Sequence, residues 1–203
     1  MTSTVSSGFL VLDAELPGGG WPCGSLTEVL QVQPTVLEWR LLAPAMRALV
    51  EQDRQIVVVG PPKAPHLPGL RQLGLDERRL VWVDVQKPVE RLWATEQLIK
   101  SNAAGMLVSW LPQARQEQIR RLQVCAQGCD GPVILWRPAA AADEASAAPL
   151  RLRARFGVDW ELRIHLLKRK GPPHEGELAL PSVPGGLQDL SLIHISEPTR
   201  PER

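Results

Sequence analysis

The chain contains no tyrosine and only two phenylalanines, so its aromatic content rests on seven tryptophans. Its three cysteines, Cys23, Cys125 and Cys129, form no CxxC pair and no even set, which argues against a disulfide framework and for a reducing cytoplasm. No apolar run approaches the roughly 20 residues of a membrane helix. The start carries neither a basic region nor a long apolar stretch of the kind that targets secretion. A dominant sign of charge is also missing: 23 lysines and arginines stand against 22 acidic residues, so no bulk field marks a nucleic-acid coat or a membrane-surface protein. What is present is 203 residues, 44% of them apolar, enough for one compact domain of ordinary core size.

Apolar runs of strand length alternate with longer segments of helical period. Residues Ile56 to Gly60, Leu80 to Val85, Gly105 to Trp110 and Pro132 to Trp136 read as short strands buried on both faces, which places them in a parallel sheet. Residues Thr35 to Gln52, Ala64 to Gly74, Pro88 to Asn102 and Gln113 to Gly128 read as helices with one apolar face each, and Pro44 predicts a kink in the first. The β-then-α order predicts an α/β fold with right-handed crossovers around a mostly parallel sheet.

Beyond Pro138 the texture changes. Residues 139–149, AAAADEASAAP, read as an exposed, flexible loop. Leu150 to Phe156 and Trp160 to Leu167 then alternate with period two around a turn, a hairpin signal, and Glu177 to Leu180 predicts a third antiparallel strand. These basic strands, 150–180, are expected to extend the same sheet, so that residues 1–190 make a single domain. LSLIHISEPTR, Leu190 to Arg200, matches translated sequencing-adapter DNA, and residues 191–203 are therefore read as an artefact without order that replaces the native C-terminus.

The opening stretch carries the most specific signal. The pattern Gly8, Leu10, Leu12, Asp13, Leu16, Gly19, Gly20, Pro22, Gly24, Glu28 resembles, without a gap, the N-terminal part of the RecA recombinase core. That resemblance implies a RecA-like three-layer core, with a phosphate-binding loop next in sequence. Such a loop needs glycines to wrap phosphates, a lysine for their charge and a hydroxyl for Mg²⁺. Here the loop is degenerate at Gln31, Pro34, Leu37 and Glu38: Leu37 stands where the lysine belongs and Glu38 where the hydroxyl belongs. Thr35 and Glu38 have the spacing of a capping box, which neutralises the helix start. In the same register Pro62 replaces the glutamate that activates water, and Trp110 replaces the strand-end aspartate that holds Mg²⁺. The expectation is no enzyme activity and no cofactor. A hydrolase with a relocated lysine, Lys63, is the weakest reading.

Two further segments narrow the family. Val89 to Pro112 followed by Val133 to Pro138 is similar to the SulA-related family, in which the pairs Trp110-Leu111 and Arg137-Pro138 recur. The complete combination resembles ImuA. That resemblance implies an accessory role in SOS-induced, error-prone translesion DNA synthesis, with an ImuB-like protein and a second DnaE-type polymerase as partners and RecA as a further contact. The alternative is a SulA-type cell-division inhibitor binding FtsZ, with Trp110, Leu111 and Arg137 in its partner region.

The best candidate surface for DNA or a partner is the basic hairpin: Arg151, Arg153, Arg155, Arg163, Lys168, Arg169 and Lys170. From Leu150 to Gly171 seven basic residues face two acidic ones. The alternation places Arg151, Arg153 and Arg155 on one face, where phosphate contacts would give salt-dependent affinity without sequence preference. Cys125 and Cys129 lie one helical turn apart on an apolar face with no nearby histidine, which reads as core rather than metal site. His66, His165 and His174 stand apart from any nucleophile.

Overall fold

A computed structural model describes residues 3–34, 37–64, 66–158 and 161–181. Thr35, half of the expected capping box, and the adapter-like tail lie outside the described residues.

The N-terminal segment holds three short elements that periodicity did not reveal: β1 (Thr4–Val5), α1 (Leu10–Glu15) and β2 (Trp21–Pro22), with β1 antiparallel to β2. Asp13 ties this segment together by accepting from Ser6 Oγ at 2.6 Å and from the Ser7 N–H at 2.8 Å. The chain then turns at Gly24, whose φ of 68° admits no ordinary side chain, into β3 (Leu26–Gln31). The glycine-rich approach thus launches the first central strand.

The remaining elements alternate as expected: α2 (Leu37–Glu51), β4 (Ile56–Val59), α3 (Leu67–Gln72), β5 (Leu80–Val83), α4 (Pro88–Ser101), β6 (Met106–Trp110), α5 (Gln116–Ala126), β7 (Val133–Pro138), β8 (Leu150–Phe156), β9 (Leu162–Lys168) and β10 (Leu178–Leu180). Eight strands form one mixed sheet in the order β10-β9-β8-β3-β7-β6-β4-β5. The six neighbours from β8 to β5 run parallel, and β9 and β10 add antiparallel pairings at one end. The fold is α/β. On one face Val29, Val58, Val108 and Ile134 pack under Leu41 and Met46 of α2 and Leu70 of α3; on the other Leu26, Val57, Leu107 and Leu135 pack under Ile99 of α4 and Ile119 and Leu122 of α5.

Three expectations need correction. Residues 139–149 are not an exposed loop: they open with a 3₁₀ turn, Ala139–Asp143, and Ala141 and Ala148 are fully buried. The alanines that made the segment look featureless are small enough to pack on the sheet, and their carbonyls are used by Arg151. The strand at Leu80 is not buried on both faces, because it is the sheet edge and leaves Val81 exposed. The segment from Ala64 yields only six helical residues, opened by Pro68 and closed before Gly74, which turns left-handed at φ 73°. The hairpin of β8 with β9 and the third strand β10 are antiparallel as expected, while β8 joins the rest of the sheet by running parallel to β3. Helix α2 itself runs unbroken through Pro44, whose ring packs against Gly8.

Candidate functional site

In open α/β sheets ligands bind outside the carboxyl ends of the strands, where successive connections leave on opposite faces. Here β4 leads to α3 on one face and its neighbour β6 leads to α5 on the other. The crevice at these strand ends is lined by Gln31, Pro34, Pro62, Trp110, Trp136 and Arg137, among others, and holds only about 110 Å³. A pocket for a drug-sized ligand runs to roughly 300–1,000 Å³.

Side chains that knit the strand ends together leave that little space. Glu38 is buried in the first turn of α2; its Oε1 accepts from Gln31 Nε2 at 2.6 Å and from Trp110 Nε1 at 3.3 Å. One carboxylate thereby joins the ends of β3 and β6 to the start of α2. Leu37 is buried in the core beside it. Trp110 continues into an aromatic ladder, Trp82–Trp39–Trp110–Trp136, with ring centroids 6.3 to 6.5 Å apart. Each such contact contributes about 0.5–1.5 kcal/mol beyond burial. Four of the seven tryptophans therefore serve the packing between α2 and the sheet. Arg91 of α4 closes the other side: its guanidinium donates to the carbonyls of Val85, Gln86 and Trp110. Gly60 makes room for it, since a Cβ there would lie 2.2 Å from Arg91 Nε. Burial pulls the Arg91 pKa below the usual guanidinium value.

A second polar cluster lies inside the sheet. Glu28 is completely buried, and its two oxygens accept from Arg137 Nη1 at 3.1 Å and Arg151 Nε at 2.7 Å. Arg137 also pairs with Glu144 at 3.0 Å, and Arg151 donates to the carbonyls of Ala141, Ala142 and Glu144. Two cations and two carboxylates balance. The cluster fixes the 139–149 segment over β3 and β8.

This location changes the reading of both sequence-derived surfaces. Arg151 is a buried structural residue, not part of an exposed stripe, because it stands opposite Glu28 in the register of β3 and β8. Trp110, Leu111 and Arg137 are likewise buried, their exposed area 5% or less, so each contributes only a sliver of a cavity wall and none projects from the surface. The other six basic residues surround the outer part of the sheet. Arg153 stands opposite His165, and Arg155 stands opposite Arg163, where like charges directly opposed are destabilising. Acidic neighbours relieve this: Glu177 accepts from Arg155 Nε at 2.9 Å, and Glu161 pairs with Arg163. The Arg155 guanidinium holds the Glu177 carboxyl below the usual range. Arg169 pairs with Glu15 at 2.7 Å, Lys168 donates to the Ser146 carbonyl, and Lys170 is exposed.

No family model matches this chain, and no curated protein matches it. Function therefore rests on geometry and chemistry. No group of three or more metal-ligating side chains occurs among the described residues, and Cys125 and Cys129 are half-buried, with Cys129 Sγ bonded to the Ile99 carbonyl. Lys63 is exposed on the loop after β4 and does not line the crevice. No helix among the described residues is long and apolar enough to cross a membrane.

Sequence reasoning missed Arg91, Glu28 as a charge centre, and the apolar surface of α4. A signal for Glu28 existed: a carboxylate inside the apolar strand LTEVLQ requires a cationic partner.

Proposed function

We propose that this chain is a non-catalytic adaptor of the ImuA type: a RecA-like scaffold with a degenerate phosphate loop, acting in damage-induced translesion synthesis beside an ImuB-like protein and a second DnaE-type polymerase, with RecA as a further contact. The observation that carries this reading is the filled crevice. Trp110 donates to Glu38, the two residues that the resemblance aligns with the aspartate and the hydroxyl of a nucleotide site, and this contact supports the reading. Pro62 on the loop after β4 offers no base for water. Burial of Trp110, Leu111 and Arg137 also weighs against the division-inhibitor alternative, since each would offer FtsZ 5% or less of its area.

Calorimetry with ATP–Mg²⁺ tests the loss of catalysis: no heat of binding is expected, and a dissociation constant in the micromolar range would overturn it. Deletion of the gene tests the pathway. Damage-induced mutation frequency should fall while septation stays normal. Unchanged mutation frequency, or filamentation on overexpression, would favour a division inhibitor instead.

A further inference from the structure

We propose that the groove between α4 and α5 is a docking site for an extended acidic peptide carrying an aliphatic or aromatic anchor. This proposal stands on surface geometry and is independent of the lesion-bypass reading.

Two cavities of about 560 and about 480 Å³ share the residues Pro112, Gln113, Ala114 and Arg115. The two cavities adjoin at the 112–115 segment, an arrangement that an extended chain can follow across both. The larger cavity is lined by Val89, Leu92 and Leu111 together with Arg91 and Arg115, and by no carboxylate. Charge and apolar surface therefore coincide. The smaller cavity adds Arg137 and Glu144, already paired with one another. At the rim Val89 is 78% exposed and Trp93, one turn further along α4, is 65% exposed. Residues four apart share one helix face, so the two form an apolar strip beside the trough. An exposed apolar strip rimmed by polar groups marks an interaction site. The exposed Arg115 supplies the cation that selects a carboxylate on the partner, Arg91 adds only to the local positive potential because its guanidinium is held by three carbonyls, and the apolar wall selects an anchoring side chain. Two arginines give a nucleic acid backbone little to hold, which favours peptide over polynucleotide.

The test is selection of a random phage-displayed peptide library on the purified full chain, followed by affinity measurement for the enriched synthetic peptides. Enriched peptides should combine two or more carboxylates with a large apolar residue. Their affinity should fall by about tenfold or more for Arg115→Glu, and comparably for Val89→Asp, as expected for loss of a charged contact or an anchor. Both side chains are exposed, and unfolding midpoints close to that of the parent will show that the variants are folded. Failure to enrich any peptide, enrichment of basic or uncharged peptides, or binding that survives both substitutions would overturn the proposal. So would concentration-dependent self-association that the same two substitutions abolish, because the trough would then be an interface between copies.

Discussion

Glu28 exposes no surface, yet it receives two guanidinium groups, so its charge is essential to two neighbours. Replacing Glu28 with glutamine keeps the shape and removes the charge, leaving Arg137 and Arg151 to share the half-exposed Glu144. Removing one partner of a buried ion pair costs about 3–5 kcal/mol. Urea unfolding of Glu28→Gln should show a loss of that order; a loss below about 1 kcal/mol would mean the arginines are solvated after all. The sequence displayed Glu28 as a charge inside an apolar strand but hid its partners, which come from strands more than 100 residues away. Glu96 offers a pH-dependent counterpart. It pairs with Lys100 on its own helix at 2.5 Å and joins α4 to α5 through Arg121 at 2.7 Å, and the Lys100 contact foremost holds its pKa below the ordinary value, with Arg121 adding to the effect against burial. A carboxyl with a depressed folded-state pKa contributes stability above the unfolded pKa, and loses it as pH falls through the folded value. The gap in urea midpoint between the parent and Glu96→Gln should therefore be present at neutral pH and close in strongly acidic buffer. A gap independent of pH would show that ionisation of Glu96 plays no part.

At the scale of elements, the sequence revealed what hydrophobic burial dictates and concealed what long-range contacts dictate. β4, β6 and β7 were legible because a strand covered on both faces must be apolar along its whole length. The edge position of β5 was not, since an apolar run says nothing about how many neighbours it has. The 139–149 strap and α1 were hidden for a related reason: their order comes from Arg151 and from contacts with the rest of the chain rather than from local periodicity. Gly8 makes this concrete. Its φ is +81°, and a Cβ would lie 2.2 Å from the Cβ of Pro44 in α2. Gly8→Ala therefore meets both backbone strain and overpacking, each costing about 1–3 kcal/mol. Gly19 has nearly the same φ, 82°, but open space around its missing Cβ. Its alanine variant should show the conformational cost alone, about 1–3 kcal/mol, without the overpacking. Limited proteolysis should cut the N-terminal segment of Gly8→Ala faster than that of Gly19→Ala. Equal cleavage would mean that the Pro44 contact does not hold this segment on α2.

At the scale of the molecule, the basic strands looked in the sequence like a field of seven cations, because acidic partners at Glu15, Glu28 and Glu177 lie far away along the chain. Folding brings those partners in. Arg151 is buried, and Arg155, Arg163 and Arg169 each pair with a carboxylate, which leaves Arg153, Lys168 and Lys170 as basic-strand cations with no carboxylate partner among the described residues. The affinity of a protein for duplex DNA falls with salt at a logarithmic slope of about −0.9 per phosphate neutralised. Three available cations therefore predict weak binding with a slope no steeper than about −2.7, whereas all seven would give about −6. Fluorescence anisotropy of a labelled duplex across a salt series measures this directly. Glu177→Gln frees Arg155 and should steepen the slope by about one unit while tightening binding at low salt. A parent slope near −6 would mean that DNA displaces the internal carboxylates. A shallow slope left unchanged by Glu177→Gln would instead mark this face as a support for the sheet, with its arginines held to hold strands together rather than to meet a phosphate backbone.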